Sequence, residues 1–161
     1  MNELVYDPIG LIRSPFKTAE GTPIQPIAAK GIRGLIELRE EFLEGLKDLD
    51  GFSHVILVYH FHLSTGGFKL RVKPFLDNEC HGVFATRAPR RPNPIGISIV
   101  RLIGIQGTHL IIEDVDVLDE TPLLDIKPYV PLFDSRETEK IGWFSARVQD
   151  AEKSRADDRF R

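Results

Sequence analysis

Four arginines and three prolines are concentrated in the segment FATRAPRRPNPIGISIVRL, which covers residues 84–102. Proline fixes φ and biases the residue before it towards extended backbone, so the loop over residues 87–94 is predicted to be stiff. A stiff loop loses little conformational entropy when it holds a ligand. Residues 69–101 carry seven bases and two acids in a chain of net charge −3. This local excess predicts a site for an anionic ligand such as a phosphate backbone. The alternative is a structural loop whose arginines pair with acids elsewhere.

Histidines cluster in the segment SHVILVYHFHL, residues 53–63. Strand alternation places His54, His60 and His62 on one face. His60 and His62 then form an H-x-H pair, a spacing that a metal site on a strand can use, with Glu79–His81 as further candidate ligands. Two other interpretations remain open. The histidines could be partly buried and hydrogen-bonded, or His62 could bind a small molecule or act in catalysis.

Carboxylates are dense in EDVDVLDETPLLDIKPY, residues 113–129. Asp116 and Asp119 flank the predicted end of a strand, where carboxylates can hold ribose hydroxyls or an amino group. Neither the spacing nor the central glycine of a calcium-binding EF-hand loop is present. Asp125, Lys127 and Tyr129 alternate and could face one pocket. The alternative is that these acids lie in solvent-exposed turns and bind nothing.

The elements that must position these residues are short, because 11 prolines and 13 glycines divide the chain. This pattern predicts a mainly β protein, a barrel or sandwich. The buried-looking strand IGISIVRLIGI is apolar on both faces. One helix is predicted over Arg39–Leu49, followed by Gly51 at the position of a stop. Residues 63–81 are expected to form a long loop. The predicted strands are Ile9–Arg13, Ile32–Leu38, Ser53–His62, Gly82–Thr86, Ile97–Ile103, His109–Val117 and Trp143–Val148.

Length and composition predict one domain over residues 1–148 and a disordered tail over residues 149–161. A net charge of −3 and a pI of about 6.0 exclude a globally basic nucleic-acid-binding protein. The single cysteine, Cys80, excludes an internal disulfide and suits a reducing cytoplasm. No signal peptide or membrane-spanning segment is expected.

Four segments together resemble the TsaA-like (TrmO) family of tRNA methyltransferases: residues 10–16, 51–62, 82–102 and 116–131. The resemblance implies a small antiparallel β-barrel with one short helix and long loops. It also implies a homodimer that uses S-adenosylmethionine to methylate N6 of threonylcarbamoyladenosine next to the tRNA anticodon. Longer members carry a C-terminal domain for which no counterpart is expected here.

The family motifs imply cofactor contacts position by position. The residues concerned are Gln25, Pro26, Ile27, His62, Leu63, Arg87, Ile97, Asp116, Leu118, Asp119, Glu120 and Thr121. The sequence departs from the family at Glu120, where Asp-Gly-Thr-Pro is usual. Glycine adopts positive φ easily and glutamate does so at a cost, so the shape of this loop is affected.

Roles within the reaction follow from residue type and motif position. His62 or Asp119 is the candidate for removing a proton from the acceptor nitrogen, and Arg87 for contacting a carbonyl or the cofactor carboxylate. Candidate RNA contacts are Arg90, Arg91, Lys69 and Arg71. No metal is expected. The alternatives are an RNA-binding barrel without enzymatic activity, and a metal-dependent hydrolase built on the histidine pair.

Overall fold

The computed structural model describes residues 3–150 and 153–157. Six strands form a closed antiparallel barrel in the order β1-β2-β7-β6-β3-β8, and the two short strands β4 and β5 pair separately. The mainly β barrel predicted from the sequence is confirmed. The strands are β1 (Gly10–Arg13), β2 (Arg33–Leu38), β3 (His54–His60), β4 (Arg71–Val72), β5 (His81–Gly82), β6 (Ile95–Gln106), β7 (His109–Glu113) and β8 (Thr121–Pro128).

Side chains fill the interior of the barrel. Alternate residues of each strand point inward, as the period of two requires, and β3 follows the pattern through Val55, Leu57 and Tyr59. Isoleucines and leucines from the other strands complete the core, among them Ile36 and Leu110, both fully buried. Because a barrel this small is filled by its own side chains, a ligand must bind outside the barrel or at its rim.

Strand β6 differs from its prediction on one face. The apolar run predicted a strand buried on both sides, but burial alternates, and the outward residues Ile95, Ile97 and Ile99 are exposed. The antiparallel register places Val58 opposite Ile97 and Ile56 opposite Ile99 on β3. An apolar surface, here called the isoleucine face and made of these five residues, therefore covers the outside of β3 and β6.

Strand β8 was not among the predicted strands. Pro122 and Pro128 lie near its two ends, and the acidic segment that contains its one acid, Asp125, predicted turns. Proline is tolerated where its missing N–H is not needed by the ladder, and Pro122 pairs in register with Leu11 at the start of β8. The strand closes the barrel by pairing with both β1 and β3.

The predicted helix over Arg39–Leu49 is wrong in type. The segment forms 3-10 turns over Glu40–Leu46 and Leu49–Gly51, separated by Asp48 with φ of 66°. Gly45 lies in the middle of the segment and weakens an α-helix. The one α-helix among the described residues is the short α1 (Pro131–Asp134).

Two further predicted strands are also 3-10 turns. In the first, Gly82–Thr86, only Gly82 lies in a strand, as the end of β5. Val83–Ala85 forms a turn that continues into the arginine–proline loop. The predicted strand Trp143–Val148 is a 3-10 turn over Gly142–Ala146. Within the described ranges, no helix has the length and hydropathy needed to cross a membrane.

The tail is partly ordered, contrary to the prediction. The Ala156 N–H donates to the Thr22 carbonyl and the Gly21 N–H donates to the Ala156 carbonyl, each at 2.8 Å. Arg155 bridges Pro23 in the same short ladder. Charged residues predicted disorder, but backbone hydrogen bonds to residues 21–23 hold this part of the chain. Residues 151–152 and 158–161 of the predicted tail lie outside the described residues.

Candidate active site

A cavity of about 1070 Å³ opens at one rim of the barrel. Ligand pockets usually measure about 300–1,000 Å³, so this cavity has room for more than one small ligand group. Its walls come from the loop over residues 17–27, the end of β3, the arginine–proline loop, the acidic segment and the C-terminal segment. Residues far apart in the chain thus meet at one place.

Most residues implied as cofactor contacts line this cavity. Arg87 and Gln25 meet directly, with Arg87 Nη1 donating to Gln25 Oε1 at 2.9 Å across 62 positions of the chain. Ten of the twelve implied contacts belong to the lining: Gln25, Pro26, Ile27, His62, Leu63, Arg87, Ile97, Asp116, Leu118 and Thr121. The other two, Asp119 and Glu120, lie beside the cavity and are engaged by strand β1 and the loop that follows it.

Asp119 is held by two groups on the β1 side. Its Oδ1 accepts the Ser14 backbone N–H at 3.0 Å, and its Oδ2 pairs with the Lys17 ammonium. The hydrogen bond from Lys17 lowers the pKa of Asp119. Asp119 therefore fixes the loop against β1, and its low pKa makes it a weak base.

Glu120 adopts the backbone conformation that glycine would favour. Its φ is 61°, in the left-handed region. Its carboxylate accepts a hydrogen bond from Arg13 Nη1 at 2.8 Å, and Arg13 also donates to Glu37 at 2.9 Å. The backbone at Glu120 thus keeps the conformation expected for the glycine that the family usually has there. The glutamate side chain is accommodated by its ion pair with Arg13.

Asp116 belongs to a hydrogen-bonded chain in the barrel wall. Ser98 Oγ donates to Asp116 Oδ1 at 2.6 Å, and the Tyr59 hydroxyl lies 3.0 Å from Ser98 Oγ. Burial raises the pKa of Asp116 to about 6, while the hydrogen bond from Ser98 and the charge of Arg87 oppose that rise. Burial also raises the pKa of Tyr59, so its hydroxyl stays protonated.

Tyr59 and Ser98 were missed from the sequence. Both are buried, and Tyr59 also lines the cavity. A signal for Ser98 exists, since it is the one hydroxyl in the apolar strand IGISIVRL. A polar side chain pointing into a barrel needs a partner, and that partner is Asp116.

His62 lines the cavity just beyond the end of β3. Burial, followed by the neighbouring His60, lowers its pKa. His81 was one of the further candidate metal ligands. Its Nε2 lies 3.0 Å from Asp77 Oδ2, and its ring stacks on Trp143. Over the described ranges, no three His, Cys, Asp or Glu side chains come together in an arrangement that could hold a metal ion. The H-x-H pair of His60 and His62 therefore has no third metal ligand among the described residues.

The basic residues separate into two groups. Arg91 is half-buried and its Nη1 donates to the Thr86 and Ala88 carbonyls at 3.1 and 3.3 Å, so it shapes its own loop. Arg90 is half-buried too, with its guanidinium packed against the backbone of Gly66. By contrast, two other cations that the sequence assigned to RNA remain exposed on the surface: Lys69 and Arg71.

The C-terminal segment supplies an aromatic wall that the sequence did not predict. Trp143 stacks between His81 and Phe144, at ring-centroid distances of 4.5 and 3.9 Å. Its indole N–H donates to the Ala85 carbonyl at 2.8 Å, which joins the wall to the arginine–proline loop. Trp143 and Phe144 both line the cavity. Trp143 is the only tryptophan in the chain, which was the available signal.

Comparison with known proteins gives a consistent result. Residues 11–135 match the family model of the tRNA-methyltransferase O N-terminal domain. A probable S-adenosyl-L-methionine-binding protein of Pyrococcus abyssi is 59% identical over 98% of this chain and 85% of that protein. The mouse tRNA (adenine(37)-N6)-methyltransferase is 37% identical over 82% of this chain, but this covers only 32% of the mouse protein.

A solved structure agrees with the sequence relatives. The crystal structure of TrmO from Pseudomonas aeruginosa superposes with a TM-score of 0.74 and 40% identity, covering 88% of this chain and 63% of that one. The β-barrel of this chain agrees with that structural match. The chain is thus a member of the tRNA-methyltransferase O (TrmO) family.

Proposed function

We propose that this protein is a methyltransferase that uses S-adenosylmethionine to methylate N6 of adenosine 37 in tRNA, with threonylcarbamoyladenosine as the acceptor. The observation that carries the proposal is the convergence of Gln25, Arg87 and Asp116 on one cavity. The names of the relatives support the cofactor and the reaction, and the size of the cavity leaves room for an acceptor base beside the cofactor.

The lining of the cavity fits S-adenosylmethionine in chemical character. Arg87 offers a guanidinium to the cofactor's carboxylate, and the Gln25 amide beside it can bond the same end. Apolar contact comes from Pro26, Ile97 and Leu118, which suits the adenine and the sulfonium's neighbouring carbons. The cofactor supplies an activated methyl group, so the chain's own task is chiefly to place donor and acceptor in line.

The acceptor nitrogen is a weak nucleophile because its lone pair is delocalised into the purine and the carbamoyl group. Removal of its proton during attack therefore helps, as does a cation near the developing charge on the carbamoyl oxygen. Two exposed cations line the cavity, Lys17 and Arg87. Lys17 is paired with Asp119, whereas Arg87 lies near Asp116 and can serve either ligand.

Cations that are exposed and free of packing against a neighbouring loop are suited to the tRNA backbone. Lys69 and Arg71 meet this description better than Arg90 and Arg91, whose guanidinium groups are packed against their own and a neighbouring loop. Each lost phosphate contact reduces the slope of log affinity against log salt by roughly one. The double variant Lys69→Ala/Arg71→Ala is expected to flatten that slope, and an unchanged slope would remove these residues from the interface.

The isoleucine face supports a homodimer. It is a contiguous apolar surface on the outside of β3 and β6, and Ile95 and Ile97 also line the cavity. A second copy seated there would lie next to the bound cofactor. Apolar patches of this kind on soluble proteins usually mark an interaction site. Light scattering should give the mass of a dimer, and Ile99→Asp should give that of a monomer; a monomeric wild-type protein refutes this.

Calorimetric titration with S-adenosylmethionine tests the cofactor site. We expect saturable binding at one site per chain, weakened at least about tenfold by Arg87→Ala, which is about 1.4 kcal/mol. The matched control is Arg33→Ala, an exposed arginine whose only described ion pair is a long one to Glu113, at 3.9 Å. Quenching of the single tryptophan, which lines the cavity, gives a second readout. Absence of binding at millimolar cofactor, with and without tRNA, would refute the proposal.

Methyl transfer to tRNA tests the acceptor. The protein is incubated with labelled cofactor and either a tRNA carrying threonylcarbamoyladenosine or the unmodified transcript. Transfer to the modified tRNA alone supports the full proposal. Transfer to both keeps the enzyme but removes the carbamoyl requirement. RNA binding without transfer to either would instead identify a binding protein.

A further inference from the structure

Among the acids of residues 113–125, Asp116 is the one whose residue lines the cavity. We propose that Asp116 accepts the proton that leaves the acceptor nitrogen during methyl transfer, and that Ser98 and Tyr59 hold its carboxylate in place. The inference rests on the proposed methyltransferase function. It replaces His62 and Asp119, which residue type and motif position alone suggested for this role.

The hydrogen-bonded chain has a definite direction. Ser98 has one hydroxyl proton, and the 2.6 Å contact with Asp116 Oδ1 uses it. The Tyr59 hydroxyl, 3.0 Å from Ser98 Oγ, must then donate to Ser98. Both donors are buried, at 4% and 2% exposed, so neither exchanges its partner for water. The chain orients one carboxylate oxygen of Asp116, a residue that lines the cavity.

The ionisable groups around Asp116 set its basicity. Burial disfavours the ionised carboxylate and raises the pKa of Asp116 to about 6. The hydrogen bond from Ser98 and the charge of Arg87 act to lower that pKa. Tyr59 is neutral, because the same burial and the charge of Asp116 raise its pKa. Asp116 is therefore ionised at neutral pH and still a stronger base than an exposed carboxylate. This is the balance that proton acceptors in enzymes require.

The two competing residues are less suited to the task. Asp119 does not line the cavity, and Lys17 lowers its pKa while the Ser14 N–H occupies one of its oxygens. His62 does line the cavity, but burial and His60 lower its pKa. A lowered pKa weakens each residue as a base, and the pKa of Asp119 lies below the raised pKa of Asp116.

The step balances in atoms and charge. The acceptor nitrogen forms a bond to the methyl carbon, and the sulfur–methyl bond breaks with its electron pair staying on sulfur, which becomes a neutral thioether. The proton on nitrogen passes to Asp116, which becomes a neutral carboxylic acid and later releases the proton to water. The positive charge of the sulfonium is thus removed as one proton is released.

The test compares Asp116→Asn with Asp125→Asn, a carboxylate on β8 that pairs with Lys127 at 2.7 Å and does not line the cavity. Single-turnover methyl transfer to modified tRNA should fall about 10²–10⁴-fold in the first variant. It should stay near wild type in the second. Cofactor affinity by calorimetry should change less than about threefold in both. Wild-type turnover with Asp116→Asn would overturn the inference, and so would a loss confined to cofactor affinity.

Ser98→Ala provides a second test that keeps the carboxylate. Loss of the Ser98 hydrogen bond should raise the pKa of Asp116, so the acidic limb of the rate profile should move to higher pH. Carbon-13 NMR titration of the Asp116 carboxyl should show the same shift without any turnover. An unmoved limb and titration would overturn the positioning role. A wild-type protein that binds cofactor but never methylates tRNA would refute the proposed function instead.

Discussion

The two sides of the cavity are built in opposite ways. On the wall side, Tyr59, Ser98 and Asp116 are fixed by β3, β6 and short hydrogen bonds, and the first two are buried in the core. On the loop side, Arg87 is exposed, and Trp143 comes from a segment more than 50 residues further along the chain. The wall positions a proton acceptor through packing, whereas the loops position ligand contacts through a few hydrogen bonds.

Because of this difference, substitutions on the two sides should have different effects. A wall residue that gains volume disturbs the core, because interiors are close-packed and do not yield to an added methyl group. A loop residue can change with little effect on stability, and its loss acts on affinity. Variants on the two sides should therefore fall into different classes, and the following predictions test that separation.

The largest expected effect is at Gly96, on β6 beside Tyr59. A Cβ there would lie 2.2 Å from Tyr59 Cε2 and 2.8 Å from Phe61 Cζ. Both rings are edge-to-face neighbours packed at the end of the core, so neither can move freely. Gly96→Ala should lower the free energy of unfolding by about 3 kcal/mol, at the upper end for overpacking. Denaturant titration measures it.

The matched loop-side control is Gly82→Ala. Its Cβ would meet no atom within 4 Å, and its φ of −59° suits alanine. The free energy of unfolding should change by less than about 0.5 kcal/mol. Equal losses in the two variants would contradict the separation between wall and loops.

The wall and the loops also differ in how far the sequence predicted them. Strand alternation placed His54 and His60 on one face of β3, because a period of two needs only local information. The bond between Ser98 and Asp116 depends on how β6 and the acidic segment come together, and no local pattern encodes that. The family motifs supplied Gln25 and Arg87 as cavity residues without their mutual contact.

Other features depended on tertiary context. The run of β6 is apolar on both faces, and only the closed barrel decides that Ile95, Ile97 and Ile99 face outward. Strand β8 contains two prolines and one acid, so the sequence did not indicate that it pairs with a strand on each side. The aromatic wall at Trp143 needs the contact with His81, which lies 62 positions earlier in the chain.

A second, smaller effect should appear in the pH dependence of stability. Burial raises the pKa of Asp116 to about 6, above its unfolded value, so the folded protein binds this proton more tightly. Ionised Asp116 therefore lowers the free energy of unfolding. This destabilisation disappears as pH falls through 6 towards 4, because Asp116 becomes protonated. At pH 7 the penalty is about 1–3 kcal/mol.

Asp116→Asn should remove this penalty. The variant should be more stable than wild type at pH 7 by about 1–2 kcal/mol, since the amide still accepts from Ser98. The advantage should shrink below pH 5, where wild-type Asp116 is protonated. Denaturant titrations at pH 4, 5, 6 and 7 measure it. A difference that does not vary with pH would show that Asp116 is not desolvated as the wall side requires.

The smallest expected effect is at Glu120, beside the cavity on the side that β1 holds. Its φ of 61° is unfavourable for any residue with a Cβ, by roughly 1–2 kcal/mol. The exposed ion pair with Arg13 offsets only a small part of this cost, because solvent screens it. Glu120→Ala loses the ion pair and keeps the strain, so it should be slightly less stable than wild type.

Glu120→Gly loses the same ion pair and also relieves the strain, although the more flexible unfolded chain offsets part of the gain. It should therefore be as stable as wild type, and more stable than Glu120→Ala by roughly 1 kcal/mol. Thermal and denaturant unfolding of the two variants compare them directly. Because both remove the same carboxylate, their difference isolates the backbone. Equal stability would mean that the loop relaxes away from positive φ, and that the ion pair with Arg13, not the backbone, sets the shape of the acidic turn.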